Sequence, residues 1–353
     1  MVSPSVAQTE PPAGGHPFAS LTPDRVLDAL QAVGLRGDGR MTALSSYENR
    51  VYQVRLEDGA VVVGKFYRPG RWSLAQVQEE HDFSHALTQA EVPVVAPLRL
   101  EGTSVHRCGE FLFSVSPFRG GRAPDLDHAE VLEWIGRFLA RLHAVGAQAA
   151  FVHRPALDLQ GFGVAAREWL LGQQRIPLDV ERAWADMSAQ ALALVERHDC
   201  LAGRVAPGGA EPIALLRLHG DCHSGNILWT PTDAAPAAGP GPHFVDMDDA
   251  RTGPAVQDLW MLLSGERQQR QQQLGALIDG YEQFRPFDRR ELALIEPLRT
   301  LRLIHYSAWL ARRWDDPIFP INFPWFGSSD YWKGQVQMLE DQCEAMEEAP
   351  LVA

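Results

Sequence analysis

Cysteine is scarce in this chain: Cys108, Cys200, Cys222 and Cys343 lie far apart and form no C-x-x-C pair. That spacing indicates neither a disulfide framework nor a cysteine zinc site. Cys222 then reads as a small packing residue, with redox sensitivity as the alternative. Basic residues are in deficit, with 32 Lys and Arg against 45 Asp and Glu and a formal net charge of −13. A nucleic-acid surface is basic and clustered, so no nucleic-acid partner is expected. No apolar run approaches the length of a membrane span, and the first residues lack both a basic start and an apolar core. The expectation is a cytoplasmic protein with no membrane partner and a flexible tail over residues 1–17. Also missing is any G-x-G-x-x-G loop to cradle a phosphate.

What is present is chemistry concentrated between Leu218 and Leu263. Two clusters, LHGDCHSGNILW (218–229) and HFVDMDDA (243–250), are joined by the turn-rich TPTDAAPAAGPGP. Two strands joined by a loose hairpin would carry Asp221, Asn226 and Asp246 to one end of a pair, where their oxygens suit Mg²⁺. A metal held that way carries phosphate. Phosphoryl transfer needs little covalent help from a protein; it needs positioning, charge neutralisation and a carboxylate at the attacking hydroxyl. Asp221 fits the carboxylate, Asn226 a neutral metal ligand, and Asp246 the anionic ligand bridging the phosphates. His219 and His223 read as braces for the loop. An imidazole-bound transition metal is the alternative, and Asn226 and the distant Asp246 count against it.

The upstream half supplies complementary parts. Thr22 is a plausible N-cap, with Pro23 opening a helix whose Val26, Leu27 and Leu30 share a face. Ser45 to Phe66 reads as strand, turn, strand, placing Lys65 at a strand end. Gly59, Gly64 and Lys65 mimic the spacing of a P-loop, but the spacer is a Val run and Phe66 stands where a hydroxyl is needed. Lys65 is instead expected to pair with phosphates, the alternative being a surface lysine on an edge strand. RWSLAQVQEEHDFSHAL is helical, and Glu80, on the face of Val77 and Leu87, is chosen to hold Lys65, with Glu79 as the alternative. The turn SSYEN, with Ser46, stands where a nucleotide cover would be. Pro117 and Phe118, followed by Gly120 and Gly121, form a candidate hinge against adenine. The helical stretch from Val164 to Val205 is expected to shape one wall of the acceptor site. His143 reads as structural, and Gln268, Gln269 and Gln271 to Gln273 as a solvated face. Trp309, Trp314, Trp325 and Trp332 either pack the C-terminal segment or line a pocket for a peptide or a quaternary ammonium. Asp125, Asp248 and Asp249 near the cleft would attract a cationic substrate.

His219, Gly220, Asp221, His223 and Asn226 match the H-G-D-x-H-x-x-N loop of the aminoglycoside phosphotransferase and choline kinase group. Within that group the chain resembles the bacterial stress response kinase A family through SYENRVYQV (46–54), GKFYRPGRW (64–72), the loop itself, FVDMDDARTGPAVQDLWMLL (244–263) and WLARRWDDPIFPINFPW (309–325). The resemblance implies an α+β, bilobal, protein-kinase-like fold: a small β-rich N-lobe (18–117), a large mainly helical C-lobe (118–345) and a C-terminal tail (346–353). It implies ATP as co-substrate, Mg²⁺ on Asn226 and Asp246, catalysis by Asp221 and Asp246, nucleotide contact at Ser46, and a bracing role for Asp258. It further implies a monomeric Ser/Thr protein kinase of the stress response that also modifies itself. Chemistry alone leaves open a small-molecule kinase of the aminoglycoside, choline or homoserine type.

Overall fold

The computed structural model describes residues 16–197, 212–231 and 240–353. Most of the expected N-terminal tail, Cys200, the end of the helical stretch expected to reach Val205 and the middle of the 230–242 connection lie outside them.

Helix α1 (Pro23–Ala32) starts where Thr22 accepts the N–H of Arg25, and it buries Val26 and Leu30. It packs on an antiparallel sheet ordered β1-β2-β3-β5-β4: β1 (Gly37–Ala43), β2 (Arg50–Leu56), β3 (Val61–Phe66), β4 (His106–Cys108) and β5 (Phe111–Pro117). Val54, Val62, Phe66, Phe113 and Val115 fill the core between them. Strand β1 was not expected, since GDGRMTA has two glycines, a single β-branched residue, Thr42, and no apolar alternation. It is an edge strand recruited by β2, with Met41 opposite Val54 and Ala43 opposite Tyr52. Helix α2 (Leu74–Gln89) begins in a capping box of Ser73 and Gln76 and buries Val77, Glu80, Ser84 and Leu87 on one side.

The second lobe is mainly helical. Helix α3 (Ala129–Gly146) lies along α7 (Arg267–Tyr281), and α5 (Leu178–Arg197) packs against α10 (Ser329–Glu347). Between the lobes stand two short ribbons: β6 (Leu216–Leu218) with β9 (Arg251–Gly253), and β7 (Ile227–Thr230) with β8 (Gly241–Phe244). Ile227 faces Phe244, so the loops 219–226 and 245–250 emerge at the same end, as the hairpin argument requires.

Some expectations are corrected. Gln273 is buried, its side-chain oxygen taking the N–H of Ser264, so the solvated glutamine face ends at Gln272. Helix α10 continues through Glu347, and Arg267 then holds Glu348, Ala349 and Pro350, so the last residues are anchored. Trp332 is fully buried edge-on to Trp184, and Trp314 packs on Phe326. Both serve packing; Trp309 lines the cleft. Among the described residues no helix is long and apolar enough to cross a membrane.

Candidate active site

A cleft of about 2510 Å³ separates the lobes, and Ser46, Lys65, Glu80, Pro117, Phe118, Asp221, Asn226 and Asp246 all line it. Lys65 projects from β3 between its partners Val51 and Ser114. Its ammonium lies 2.6 Å from Asp246 and 3.5 Å from Asp248. Burial would lower its pKa, but these two carboxylates outweigh burial and raise it, so the lysine stays charged.

Glu80 lies opposite on α2, buried, with the Ser84 hydroxyl donating to it at 2.9 Å. Burial raises its carboxyl to about 7 against the pull of Lys65 and Arg154. No ion pair within 4 Å joins Glu80 to Lys65, whose charge is taken up by Asp246 and Asp248. Glu79 points elsewhere. Its carboxylate accepts the backbone N–H groups of Val152, His153 and Arg154, stitching α2 to the second lobe.

The catalytic-type loop is held from beneath by a buried carboxylate. Asp258 accepts the N–H of His219 (2.8 Å) and of Gly220 (2.8 Å), and the ring of His143 donates to it at 3.1 Å. Burial would raise its pKa, but the hydrogen bond from His143 and those from the loop outweigh burial and lower it. His143 is therefore structural, its other nitrogen facing Tyr281 Oη at 3.0 Å. Gly220 has φ +84°, and a Cβ there would collide with the Asp249 carbonyl, so glycine is required before Asp221.

His219 donates from Nε2 to Val245 O and accepts the Asp221 N–H at Nδ1, while His223 Nδ1 takes the N–H of Gly225. Both histidines brace the loop, as expected. Cys222 is buried, which raises its thiol pKa.

Asn226 donates its amide N–H to Asp221 O (2.9 Å), which leaves its side-chain oxygen to the cleft. Val245 N–H donates to Asn226 O (3.0 Å), and the next residue is Asp246, in the left-handed region at φ 59° and half exposed. Among the described residues four non-glycine residues have positive φ, and Asp246 is the one of them that lines the cleft. One amide oxygen and one accessible carboxylate form a hard-oxygen donor set that fits Mg²⁺ completed by phosphate and water.

Other residues of the cleft had no signal in the sequence. Arg302 on α8 (Ile295–Arg312) lies 2.8 Å from Asp221 Oδ1, by distance and without hydrogen-bond alignment. Glu48, within the cover turn, receives Arg68 (2.9 Å), Arg313 and the Trp309 N–H (2.6 Å). Arg50 and Arg68 converge on Asp316 at 3.0 and 2.7 Å. Asn49 joins the Asp248 carboxylate at 3.1 Å and the Arg68 N–H at the same distance. The cover turn is thus fastened to the second lobe. The expected lure for cationic substrates fails. Asp248 is paired with Arg71 and Lys65, Asp249 with Arg71 and Arg251, and Asp125 is not among the cleft-lining residues.

Comparison with known proteins agrees with this geometry. Residues 40–295 match the family model described as "Phosphotransferase enzyme family". Stress response kinase A of Escherichia coli (strain K12) is 43% identical over 334 residues, covering 95% of this chain and 96% of that protein. A Salmonella typhimurium protein named serine/threonine protein kinase RdoA is 42% identical over the same shares. Among solved structures, an amicoumacin kinase in complex with AMP-PNP, Ca²⁺ and its ligand superposes with a TM-score of 0.66 at 18% identity, covering 91% of this chain and 93% of that one. That likeness shows the kinase-like, α+β bilobal fold. The chain therefore belongs to the phosphotransferase enzyme family, and within it to the stress response kinase A family.

Proposed function

We propose that this protein transfers the γ-phosphoryl group of ATP to Ser or Thr hydroxyls of proteins, its own included, as a monomer in the bacterial cytoplasm under stress. The observation that carries the transfer is the convergence of Lys65, Asn226, Asp246 and Asp221 on one cleft, with Asp221 on a loop locked from below by Asp258. ATP would place its adenine against Pro117 and Phe118 and its phosphates under the Ser46 turn. Lys65, permanently charged, would leave its ion pair with Asp246 for the phosphates, and Glu80 would face it from α2. Asn226 and Asp246 would hold Mg²⁺, which supplies charge neutralisation to the phosphates when bound. Asp221 orients the acceptor hydroxyl and takes its proton as the new O–P bond forms and ADP departs. Support for a protein acceptor comes from the relatives above, one named a serine/threonine protein kinase.

Incubation with Mg²⁺ and γ-labelled ATP, with and without a generic acidic or basic protein, tests this beside Asp221→Ala. Label on protein that disappears in Asp221→Ala is the expected result. ADP formation driven by small hydroxylated amines, with no phosphoprotein, would instead establish a small-molecule kinase.

A further inference from the structure

The wall of the cleft beside Asp221 is built by one face of α8. Arg302, His305 and Arg312 line the cleft, three and seven residues apart, a spacing that stacks side chains along a helix. Arg302 is 40% exposed by side chain and reaches Asp221 without hydrogen-bond alignment. Arg312 stacks at 5.0 Å over the ring of Trp169 and has no carboxylate within 4 Å among the described residues. His305 lies flat on Phe162 (4.1 Å between ring centres), with its Nδ1 buried and without a hydrogen-bond partner. It is kept neutral by burial and by the surrounding charges of Arg251, Arg312 and Arg302.

Of the two carboxylates nearby, one is neutralised by arginines and the other keeps its charge. Asp249 lies between Arg71 and Arg251, and Asp158 accepts the N–H of Gly161 at 2.6 Å. Asp221 must turn to the acceptor hydroxyl during transfer, and Arg302 is then left with its charge facing the cleft. A cationic acceptor would meet the Arg302 guanidinium at the catalytic carboxylate and, about 15 Å further along the same helix, that of Arg312. An anionic one would find both, one of them preorganised on an indole face.

We infer that the acceptor site selects a Ser or Thr embedded in an acidic polypeptide segment, with Arg302 and Arg312 receiving flanking Asp or Glu side chains. This rests on the protein acceptor proposed above. The test uses two fluorescein-labelled peptides that differ only in three Glu or three Lys around one Ser. Binding is read by polarisation with Mg²⁺ and a non-hydrolysable ATP analogue at low salt.

The acidic peptide is expected to bind the wild type at least about fivefold more tightly. Arg312→Glu should move that ratio about tenfold toward the Lys peptide, and Arg312→Gln should fall between, with thermal melts confirming that both variants fold. Equal or tighter binding of the Lys peptide, a ratio unmoved in Arg312→Glu, or no binding of either peptide overturns the inference. Phosphate transfer to the same peptides is measured separately. Binding with the expected preference but without transfer refutes the protein acceptor while leaving the charge selection in place.

Discussion

Asp258 is the residue whose loss should separate the scaffold of the site from its chemistry. Replacement by alanine leaves the N–H groups of His219 and Gly220 and the ring N–H of His143 without an acceptor in a fully buried place. An orphaned buried donor costs about 1–3 kcal/mol, so three set an upper range of about 3–9 kcal/mol. A water entering the vacated space would recover part of this, and we expect a net loss of about 4 kcal/mol. Against total stabilities of about 5–15 kcal/mol that is a large share. Asp258→Asn keeps one carbonyl oxygen and should lose about 2 kcal/mol. Urea titration gives the stability, and phosphoryl transfer gives kcat and KM. The loop carrying Asp221 relaxes, so kcat should fall at least about 100-fold, and KM for ATP should rise severalfold because Asn226 lies on the same loop and Asp246 follows Val245, which is hydrogen-bonded to His219 and Asn226. The depressed carboxyl adds a pH signature. Its stabilisation is complete above the unfolded pKa near 4 and is lost as pH falls through the lower folded value, so Asp258→Asn should lack that acid-side slope. An alanine variant within about 1 kcal/mol of wild type and with unchanged kcat would refute the bracing role.

Further outcomes follow from the same geometry. Glu80 has its folded pKa raised to about 7, so wild-type stability should fall as pH rises from about 4 to about 7 and then level off; Glu80→Gln should remove that slope and gain about 3 kcal/mol at pH 8, read by denaturation across pH. Glu48→Gln leaves Arg68 and Arg313 without their full counter-charge, and should cost about 2–4 kcal/mol and raise KM for ATP severalfold in steady-state kinetics, since the cover turn loosens. Gly220→Ala meets both the positive φ and the Asp249 carbonyl, and should abolish transfer while costing about 2 kcal/mol or more by chemical denaturation.

Much of this site was legible in the sequence because its parts are local. The run from His219 to Asn226 and the three carboxylates after Val245 name their own chemistry, and strand alternation around Lys65 and the helical face of Glu80 place both on the cleft. Thr22 and Pro23 likewise announced α1 by cap chemistry. What could not be read was long-range. Arg302 sits in a helix rich in Leu and Arg, where nothing in its neighbourhood distinguishes it from a solvated cation; only tertiary packing brings it to Asp221. Asp248 and Asp249 looked like open negative charge because their partner Arg71 is far away in sequence. Strand β1 was hidden by its glycines, since an edge strand borrows its order from its neighbour's ladder rather than from its own side chains. Gln273 was misplaced because a glutamine run carries no periodicity of its own.

The fastening of the cover turn bears on how the chain is made. Arg50 and its partner Asp316 are separated by 266 positions, and Arg68 and Asp316 by 248. At a synthesis rate of about 5–20 residues per second, the first of these cations waits about 13–50 seconds for its counter-ion to be made. During that interval the β-sheet lobe can form its own core around Val54 and Phe66, but the edge that will roof the nucleotide remains unsealed. The cover turn can therefore reach its fastened state only when the segment from Trp309 to Phe323 has left the ribosome, and a nascent chain stalled before that point carries the catalytic loop and most of the helical lobe beneath a turn that still lacks these anchors.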